Sequence, residues 1–274
     1  MQSFEALIEG FEPMEDVRRG GAELAGVFYT GGTTGRSKGV MLSHDNLLTS
    51  SLGGLAVESY ARDAVGLHAA PMFHLAAFSV WVSGQVLGGT QVMIPFFEPV
   101  AVLTAVQEHR ITDALLVPTM MQLVVDHPRF DEFDMTSVRR ILYGASPMSD
   151  ALLGRAVKAW PNARFLQAYG MTELAPVATM LTPEEHEDPR HRRSVGRAAP
   201  HTEVRIVGPD DVELPRGSAG EIVVRGGNVM LSYWDRPEET ARVLRGGWMH
   251  TGDGGYMDDE GYVYISDHIK DMII

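Results

Sequence analysis

The chain has 274 residues, which suits one large domain or two modest ones. Apolar residues make up 45% of it, enough for a sizeable core and too many for global disorder. Its 23 Lys and Arg against 36 Asp and Glu give a net charge of −13, which argues against a dedicated nucleic-acid-binding protein. The chain has no cysteine, so disulfides, zinc–thiolate sites, iron–sulfur clusters and thiol nucleophiles are excluded.

Neither the N-terminus nor the one long uncharged segment indicates a membrane protein. Acidic residues occur early, so the N-terminus does not resemble a secretory signal. The segment 64–97 lacks Asp, Glu, Lys and Arg, but histidine, proline, glycine and glutamine interrupt it. We therefore expect a buried strand–helix–strand unit there, no transmembrane segment, and a cytoplasmic protein.

The first two thirds of the chain alternate between short β-rich runs and helix-like stretches. The run Leu24–Thr30 predicts a buried strand, and a second short strand follows at 39–42. Ser43 is a suitable cap for a helix starting at His44. Further strands are predicted at 65–70, 90–94, 113–117, 138–143 and 164–167. Helices are predicted at 76–87, 100–109, 120–126 and 150–160. This alternation predicts a mainly parallel α/β sheet.

The pattern changes after about residue 183. The charged stretch 184–193 predicts an exposed loop, and short strands with turns follow at 204–207, 220–225 and 261–265. The predicted fold class is therefore α/β: a layered parallel-sheet subdomain followed by a smaller β-barrel-like subdomain. The predicted boundaries are a lead-in at 1–22, an α/β subdomain at 23–193, a β-rich subdomain at 194–265 and a final segment at 266–274.

Three short motifs carry residues suited to nucleotide chemistry. The loop 30–39 is rich in glycine and threonine and contains Lys38, so its N–H groups, hydroxyls and ammonium could hold phosphates. It is not a Walker A loop, because Ser37 precedes the lysine and Gly39 follows it. A flexible surface turn is the alternative explanation.

The second and third motifs are each weak alone. Segment 169–173 follows a predicted strand, where α/β sheets place ligands; Thr172 offers a hydroxyl to phosphate and Glu173 an oxygen to Mg²⁺. A Thr-Glu pair there is more often a helix start. In segment 248–253, Asp253 could accept from both ribose hydroxyls, although a turn aspartate is the commoner case.

Taken together, the three motifs resemble the core motifs of the AMP-forming acyl-CoA synthetases, members of the adenylate-forming superfamily. Further stretches match in order and spacing, at 71–74, 143–147, 220–225, 230–234 and 267–273. The resemblance extends from about Leu24 to the end of the chain. It implies a fold, a reaction and a set of site residues.

The implied reaction uses ATP, Mg²⁺ and a carboxylic acid to make an acyl-adenylate, which coenzyme A then converts to a thioester. Positioning and charge stabilisation should dominate both steps. The expected partners are therefore a fatty or aryl acid, ATP and CoA. Gly170 sits where bulk would restrict the pocket to very short acids, so the glycine suggests a longer fatty or an aryl acid; a fatty acid is the expected substrate.

The resemblance also assigns residues. The phosphate loop comprises Thr30, Gly31, Gly32, Thr33, Thr34, Gly35 and Lys38. The nucleotide contacts further comprise Gly144, Ala145, Ser146, Tyr169, Gly170, Met171, Thr172, Asp253 and His268. Within these sets Tyr169 stacks on adenine, Thr172 contacts the α-phosphate and Asp253 binds the ribose. Glu173 holds Mg²⁺, and His74 gates the acyl pocket. Thr172, Glu173, His74 and Lys38 are the residues assigned to catalysis.

Two positions depart from the family pattern, and a third matches it near the end of the chain. Ser37 replaces the usual proline and should loosen the loop slightly. His268 replaces an arginine that contacts ribose, which predicts weaker or pH-sensitive nucleotide binding. Lys270 matches the hinge of a C-terminal lid, yet the chain ends four residues later.

The length of the chain leaves alternatives open. Family members have a large region before the phosphate loop and a C-terminal lid that carries a catalytic lysine. We therefore expect a central fragment that turns over poorly alone and whose open sheet edge favours a homodimer or aggregation. The alternatives are an adenylation domain that loads a carrier protein and a non-catalytic nucleotide-binding protein.

Overall fold

The computed structural model describes residues 4–31 and 37–268, with residues 4, 7, 267 and 268 described by their backbone alone. The strands are β1 (Leu24–Thr30), β2 (Lys38–Ser43), β3 (Val65–His68), β4 (Thr90–Met93), β5 (Asp113–Leu115), β6 (Arg140–Gly144), β7 (Arg164–Gly170), β8 (Val177–Leu181), β9 (Arg197–Ala198), β10 (Thr202–Val207), β11 (Gly220–Gly226), β12 (Ser232–Tyr233), β13 (Met249–Met257) and β14 (Val263–His268). The helices are α1 (Phe4–Glu9), α2 (His44–Ala56), α3 (Leu75–Leu87), α4 (Pro99–His109), α5 (Pro118–Val125), α6 (Asp150–Ala159), α7 (Pro183–Glu187) and α8 (Pro237–Val243).

The largest sheet has seven strands in the order β4-β3-β5-β6-β7-β8-β9. The first five strands in that order run parallel, while β8 and β9 pair antiparallel. Because the carboxyl ends of the parallel strands share one edge, the loops after β6 and β7 emerge side by side there. That edge holds the candidate site.

Helices cover both faces of this sheet. On β6, Ile141 and Tyr143 pack into the core formed with α4, α5 and α6, whereas Leu142 packs towards Val80 of α3 and Leu55 of α2. This alternation follows from the two-residue period of a strand. The parallel sheet is therefore the middle layer between two layers of helices.

Two antiparallel sheets complete the fold. One has the order β10-β11-β13-β14 and the other the order β1-β2-β12. The parallel α/β part and the smaller β part confirm the predicted fold class. The uncharged segment 64–97 forms β3, α3 and β4, as predicted. Among the described residues, no helix is both long and apolar enough to cross a membrane.

The first predicted strand is present, but the prediction that it is buried was wrong. β1 has the predicted bounds, but it pairs antiparallel with β2 and not with the parallel strands. Leu24 is 37% exposed and Tyr29 is 67% exposed. An apolar run predicts a strand but does not specify its partner.

The prediction of an exposed loop at 184–193 was also wrong in part. The stretch begins within α7, and Glu185, His186 and His191 are buried. Tyr262 donates a 3.0 Å hydrogen bond to Glu185, and Tyr143 forms a 2.7 Å hydrogen bond with His186. These distant partners satisfy Glu185 and His186, which charge pattern alone could not reveal.

The helix starts at Ser43 and Ser149 are confirmed as caps. Ser43 Oγ accepts from Asn46 N at 3.1 Å, and Asn46 Oδ1 accepts from Ser43 N at 2.9 Å. This reciprocal pair fixes the turn from β2 into α2, directly after the strand that begins with Lys38.

Candidate functional site

The loop after β6 lies beside the end of β7. Gly144 pairs in register with Ala168, and a Cβ at Gly144 would lie 2.2 Å from the Ala168 carbonyl oxygen. Ala145 follows with φ +63°, in the left-handed region, and Ala145 and Ser146 are exposed. The close strand approach thus requires glycine at 144, and the left-handed φ of Ala145 marks the turn that follows β6.

Tyr169 and Asp253 join the parallel sheet to the four-stranded sheet. The Tyr169 hydroxyl donates a 2.7 Å hydrogen bond to Asp253 Oδ2. Burial raises the pKa of Tyr169 above its ordinary value, and the negative charge of Asp253 raises it further. The hydroxyl therefore stays protonated and remains a donor at neutral pH.

The turn that presents Asp253 is held by side chains on both sides. Thr251 Oγ1 accepts from Asp253 N at 3.1 Å and donates to Ile222 O at 2.7 Å. Gly252 has φ +78°, and its N–H donates to Glu221 Oε1 at 3.1 Å. The sequence analysis assigned no role to Glu221, although it lies in the matching stretch 220–225.

Strand pairing places His268 opposite Asp253, since their Cα atoms are register partners in β13 and β14. The side chain of His268 lies outside the described part, as do Gly32, Thr33, Thr34, Gly35 and Lys270. The predictions for these residues stay predictions.

Glu173 is a buried carboxylate at the carboxyl end of β7. It sits in a 3-10 turn with Thr172 and is 3% exposed. Tyr233 donates a 2.6 Å hydrogen bond to Glu173 Oε1. Burial raises the pKa of Tyr233, and the charge of Glu173 raises it further, so this hydroxyl also stays protonated.

Lys38 lies close to the same tyrosine. Its Nζ is 2.8 Å from Glu239 Oε2 and 4.9 Å from the centroid of the Tyr233 ring. Thr30 is the register partner of Lys38, so the two ends of the phosphate-loop hairpin meet at this point. The sequence analysis did not identify Tyr233 or Glu239; Tyr233 lies in the matching stretch 230–234, but nothing local indicates its contacts.

His74 lies at the start of α3 and is exposed. Its ring is 4.5 Å from that of Phe73, which is 73% exposed. Phe78, one turn further along α3, contacts the rings of Phe28 at 5.3 Å and Trp81 at 5.4 Å. Aromatic side chains therefore line the first two turns of α3.

Gly170 has a structural reason to lack a side chain. A Cβ there would lie 1.9 Å from Pro176 O and 2.9 Å from Ala178 N, both backbone atoms of the neighbouring chain segment. This packing explains the glycine, so its small size is no evidence for a long acyl chain.

The donor set fits a cation that is shared with a ligand. Among the described residues, no cluster of three or more His, Asp and Glu side chains could hold a metal ion by itself. Within the described part of the chain, Glu173 offers a buried carboxylate at the carboxyl edge of the parallel strands. One carboxylate suits Mg²⁺, which commonly completes its coordination with water and substrate phosphates.

The chain was compared with known proteins. The family model for AMP-binding enzymes matches residues 3–234. A feruloyl-CoA synthase from Amycolatopsis sp is 42% identical over 249 residues, covering 90% of this chain and 50% of the relative. A medium/long-chain-fatty-acid–CoA ligase from Mycobacterium tuberculosis is 33% identical over 252 residues, covering 92% of this chain and 44% of the relative.

A solved structure, the inhibitor-bound N-terminal domain of FACL13 from Mycobacterium tuberculosis, aligns with a TM-score of 0.86 at 31% identity. The alignment covers 96% of this chain and 66% of that one. The chain spans about half the length of the two relatives named above. Since the family model matches most of the chain, the protein belongs to the AMP-binding enzyme family.

Proposed function

We propose that this chain carries the nucleotide- and acid-binding part of an AMP-forming acid–CoA ligase. One observation carries the proposal: side-chain contacts converge on segment 169–173 from both directions. Asp253 meets it through Tyr169, while Lys38 meets it through Tyr233 and Glu173. Ribose, α-phosphate and terminal phosphates follow one another in ATP, and this run of contacts from Asp253 through segment 169–173 to Lys38 supports partners in the same order.

Each part of the nucleotide has a proposed partner. Asp253 accepts from the ribose hydroxyls, and Tyr169 with the loop 144–146 holds the adenine. Thr172 donates to the α-phosphate, and Lys38 pairs with the terminal phosphates. The acid's carboxylate oxygen then attacks the α-phosphorus, the bond to the bridging oxygen breaks, and pyrophosphate leaves.

Glu173 is the proposed protein ligand of Mg²⁺, together with phosphate oxygens of ATP. When bound, Mg²⁺ supplies positive charge that stabilises the developing charge on pyrophosphate. The role of Glu173 is to hold a negative charge at a fixed place beside Thr172.

We propose an acid with an apolar body, either a fatty acid or an aryl acid. The exposed Phe73 and the ring contacts of Phe78 offer apolar surface near His74. A relative of each kind supports the choice, one named for feruloyl-CoA and one for medium- and long-chain fatty acids. Coenzyme A is the proposed acceptor in the second step.

Acid-dependent exchange of labelled pyrophosphate into ATP tests the adenylation step. A panel of fatty and aryl acids is assayed with this chain and with the Amycolatopsis relative beside it. Exchange that requires an acid and falls in Glu173→Gln supports the proposal, and thioester formation with CoA rather than a carrier protein supports the acceptor. Because the chain spans about half the length of its relatives, slow exchange alone decides nothing; nucleotide binding with neither exchange nor binding of an acyl-adenylate mimic would instead favour a non-catalytic nucleotide-binding protein. Homodimer formation and cytoplasmic location stay predictions of the sequence.

A further inference from the structure

We infer that Tyr233 is a positioning residue that aims the Glu173 carboxylate at the cation and steadies Lys38 for the phosphates. The inference rests on the proposed function, because it concerns how ATP and Mg²⁺ are held at the same site. Tyr233 would touch neither ATP nor Mg²⁺; it acts through two side chains that do.

The hydroxyl of Tyr233 restricts Glu173. It donates to Oε1 at 2.6 Å, and both residues are buried, at 4% and 3% exposure. A hydrogen bond to an ionised acceptor in such surroundings is strong and directional. This hydrogen bond fixes the plane of the carboxylate and occupies Oε1. Oε2 is thereby left to bind a cation.

The ring of Tyr233 contacts the second group. Lys38 Nζ lies 4.9 Å from the ring centroid and also pairs with Glu239 at 2.8 Å. An ammonium over an aromatic face is attracted to it. One side chain therefore contacts both the proposed phosphate-binding cation and the proposed metal-binding anion.

The backbone around Tyr233 is itself fixed. Tyr233 is the register partner of Val40 in β2, two residues after Lys38, and its N–H donates to Thr240 Oγ1 of α8 at 3.0 Å. This anchoring gives the hydroxyl a defined position relative to both β2 and the end of β7. A residue that only filled space would not need a hydroxyl here.

The two contacts can be removed separately. Tyr233→Phe removes the hydroxyl and keeps the ring, whereas Tyr233→Leu removes both. Tyr262→Phe is the matched control, since Tyr262 is likewise buried and its hydroxyl donates to Glu185 outside the candidate site. The affinity for ATP is measured by calorimetry for each variant and the wild type, once in MgCl₂ and once in EDTA.

The ratio of the ATP affinity in MgCl₂ to that in EDTA measures how much Mg²⁺ strengthens ATP binding. In Tyr233→Phe, the enhancement by Mg²⁺ should fall about tenfold, as expected for loss of a hydrogen bond to a charged group. Affinity in EDTA should hold, which also proves that the variant is folded. Tyr233→Leu should in addition lose about two- to fivefold in EDTA through the missing cation–π contact. Tyr262→Phe should match the wild type in both conditions.

Three results decide the matter. A Tyr233→Phe variant with the wild-type Mg²⁺ enhancement overturns the inference and leaves the proposed function intact. So does an equal loss in Tyr262→Phe, which would indicate a general effect of losing a buried hydroxyl. A wild-type chain that binds ATP in neither condition overturns the proposed function itself and the inference with it. Tyr233→Phe leaves the buried Glu173 charge without its donor, so if that variant does not fold, the double variant with Glu173→Gln carries the test, compared with Glu173→Gln alone. The Tyr233 change should then cost no further Mg²⁺ enhancement, because Glu173 is already neutral.

Discussion

Tyr169 and Asp253 stand 84 positions apart in the chain, yet the hydroxyl of Tyr169 donates a 2.7 Å hydrogen bond to Asp253 Oδ2. The bond links the carboxyl end of β7 to the turn within β13. It holds the proposed ribose carboxylate against the proposed adenine-binding residue. Binding of the nucleoside part should therefore depend on both residues as a coupled pair.

Asp253→Asn should weaken ATP and AMP equally, because both contain the ribose, and should spare inorganic pyrophosphate. Asparagine keeps an oxygen that can accept from Tyr169, so the change removes mainly the charge. The second oxygen becomes an NH₂ donor that cannot accept from a ribose hydroxyl, and losing that hydrogen bond to a charged acceptor should cost about 1.5–3 kcal/mol. Calorimetric titrations measure this. Removing the 2′-hydroxyl of the nucleotide should weaken binding to the wild type clearly and binding to Asp253→Asn only slightly. If the two changes together cost the sum of their separate losses, the contact is rejected.

Lys38→Ala should weaken ATP binding more than AMP binding, because AMP lacks the terminal phosphates. The expected difference is about 1.5–3 kcal/mol for a charge-assisted contact. Lys158→Ala in α6 is the matched control and should leave both nucleotides unaffected. An equal loss for ATP and AMP in Lys38→Ala would assign the lysine another role.

Stability should fall above about pH 10, the ordinary pKa of tyrosine. Burial raises the pKa of Tyr143, Tyr169 and Tyr233 in the folded chain, and neighbouring carboxylates raise it further. The unfolded chain then ionises first and binds fewer protons, so stability present below that pH is lost as pH rises towards the folded pKa values. Each tyrosine should contribute up to about 1.4 kcal/mol per pH unit.

Urea midpoints between pH 8 and 11 measure this loss. Tyr169→Phe should lose less stability with pH than the wild type, whereas Tyr29→Phe, at a residue 67% exposed, should behave like the wild type. A midpoint that stays constant to pH 11 would be incompatible with buried, protonated tyrosines.

Gly170→Ala should destabilise the fold, because its Cβ would lie 1.9 Å from Pro176 O. Overpacking of this kind typically costs about 1–3 kcal/mol, occasionally more. Gly154→Ala in the middle of α6 is the opposite case, since nothing lies within 4 Å of its Cβ. It should gain about 0.5–1 kcal/mol. Thermal unfolding compares the stability of the two variants. A Gly170→Ala variant as stable as the wild type would contradict the packing explanation and favour pocket size as the reason for that glycine.

Local pattern predicted the elements better than their partners. The bounds of β1 follow from its apolar run, but the third strand of its sheet is β12, in which Ser232 and Tyr233 pair with β2 from almost two hundred residues later. β8 was not predicted at all, and the sheet reverses direction there. Sequence patterns contain the period of a strand and not the identity of its neighbour.

The candidate site shows the same division. Its motif residues were identified by resemblance, and the structure brings Tyr169 to Asp253 and Lys38 to within reach of Tyr233. Glu221, Tyr233 and Glu239 escaped prediction because each acts through a partner far along the chain. A buried tyrosine between an anion and a cation is a property of the fold, and no local signal indicates it.

Binding of an acyl-adenylate mimic tests the central claim most directly, since it needs no turnover. In a 5′-O-(N-acylsulfamoyl)adenosine the acid and the nucleoside are joined as in the proposed intermediate. The account predicts that a fatty or aryl mimic binds at least about tenfold more tightly than AMP, as expected when one site recognises both halves, and that Asp253→Asn weakens it. A mimic that binds no better than AMP, or that is unaffected by Asp253→Asn, would contradict an adenylate-forming site here.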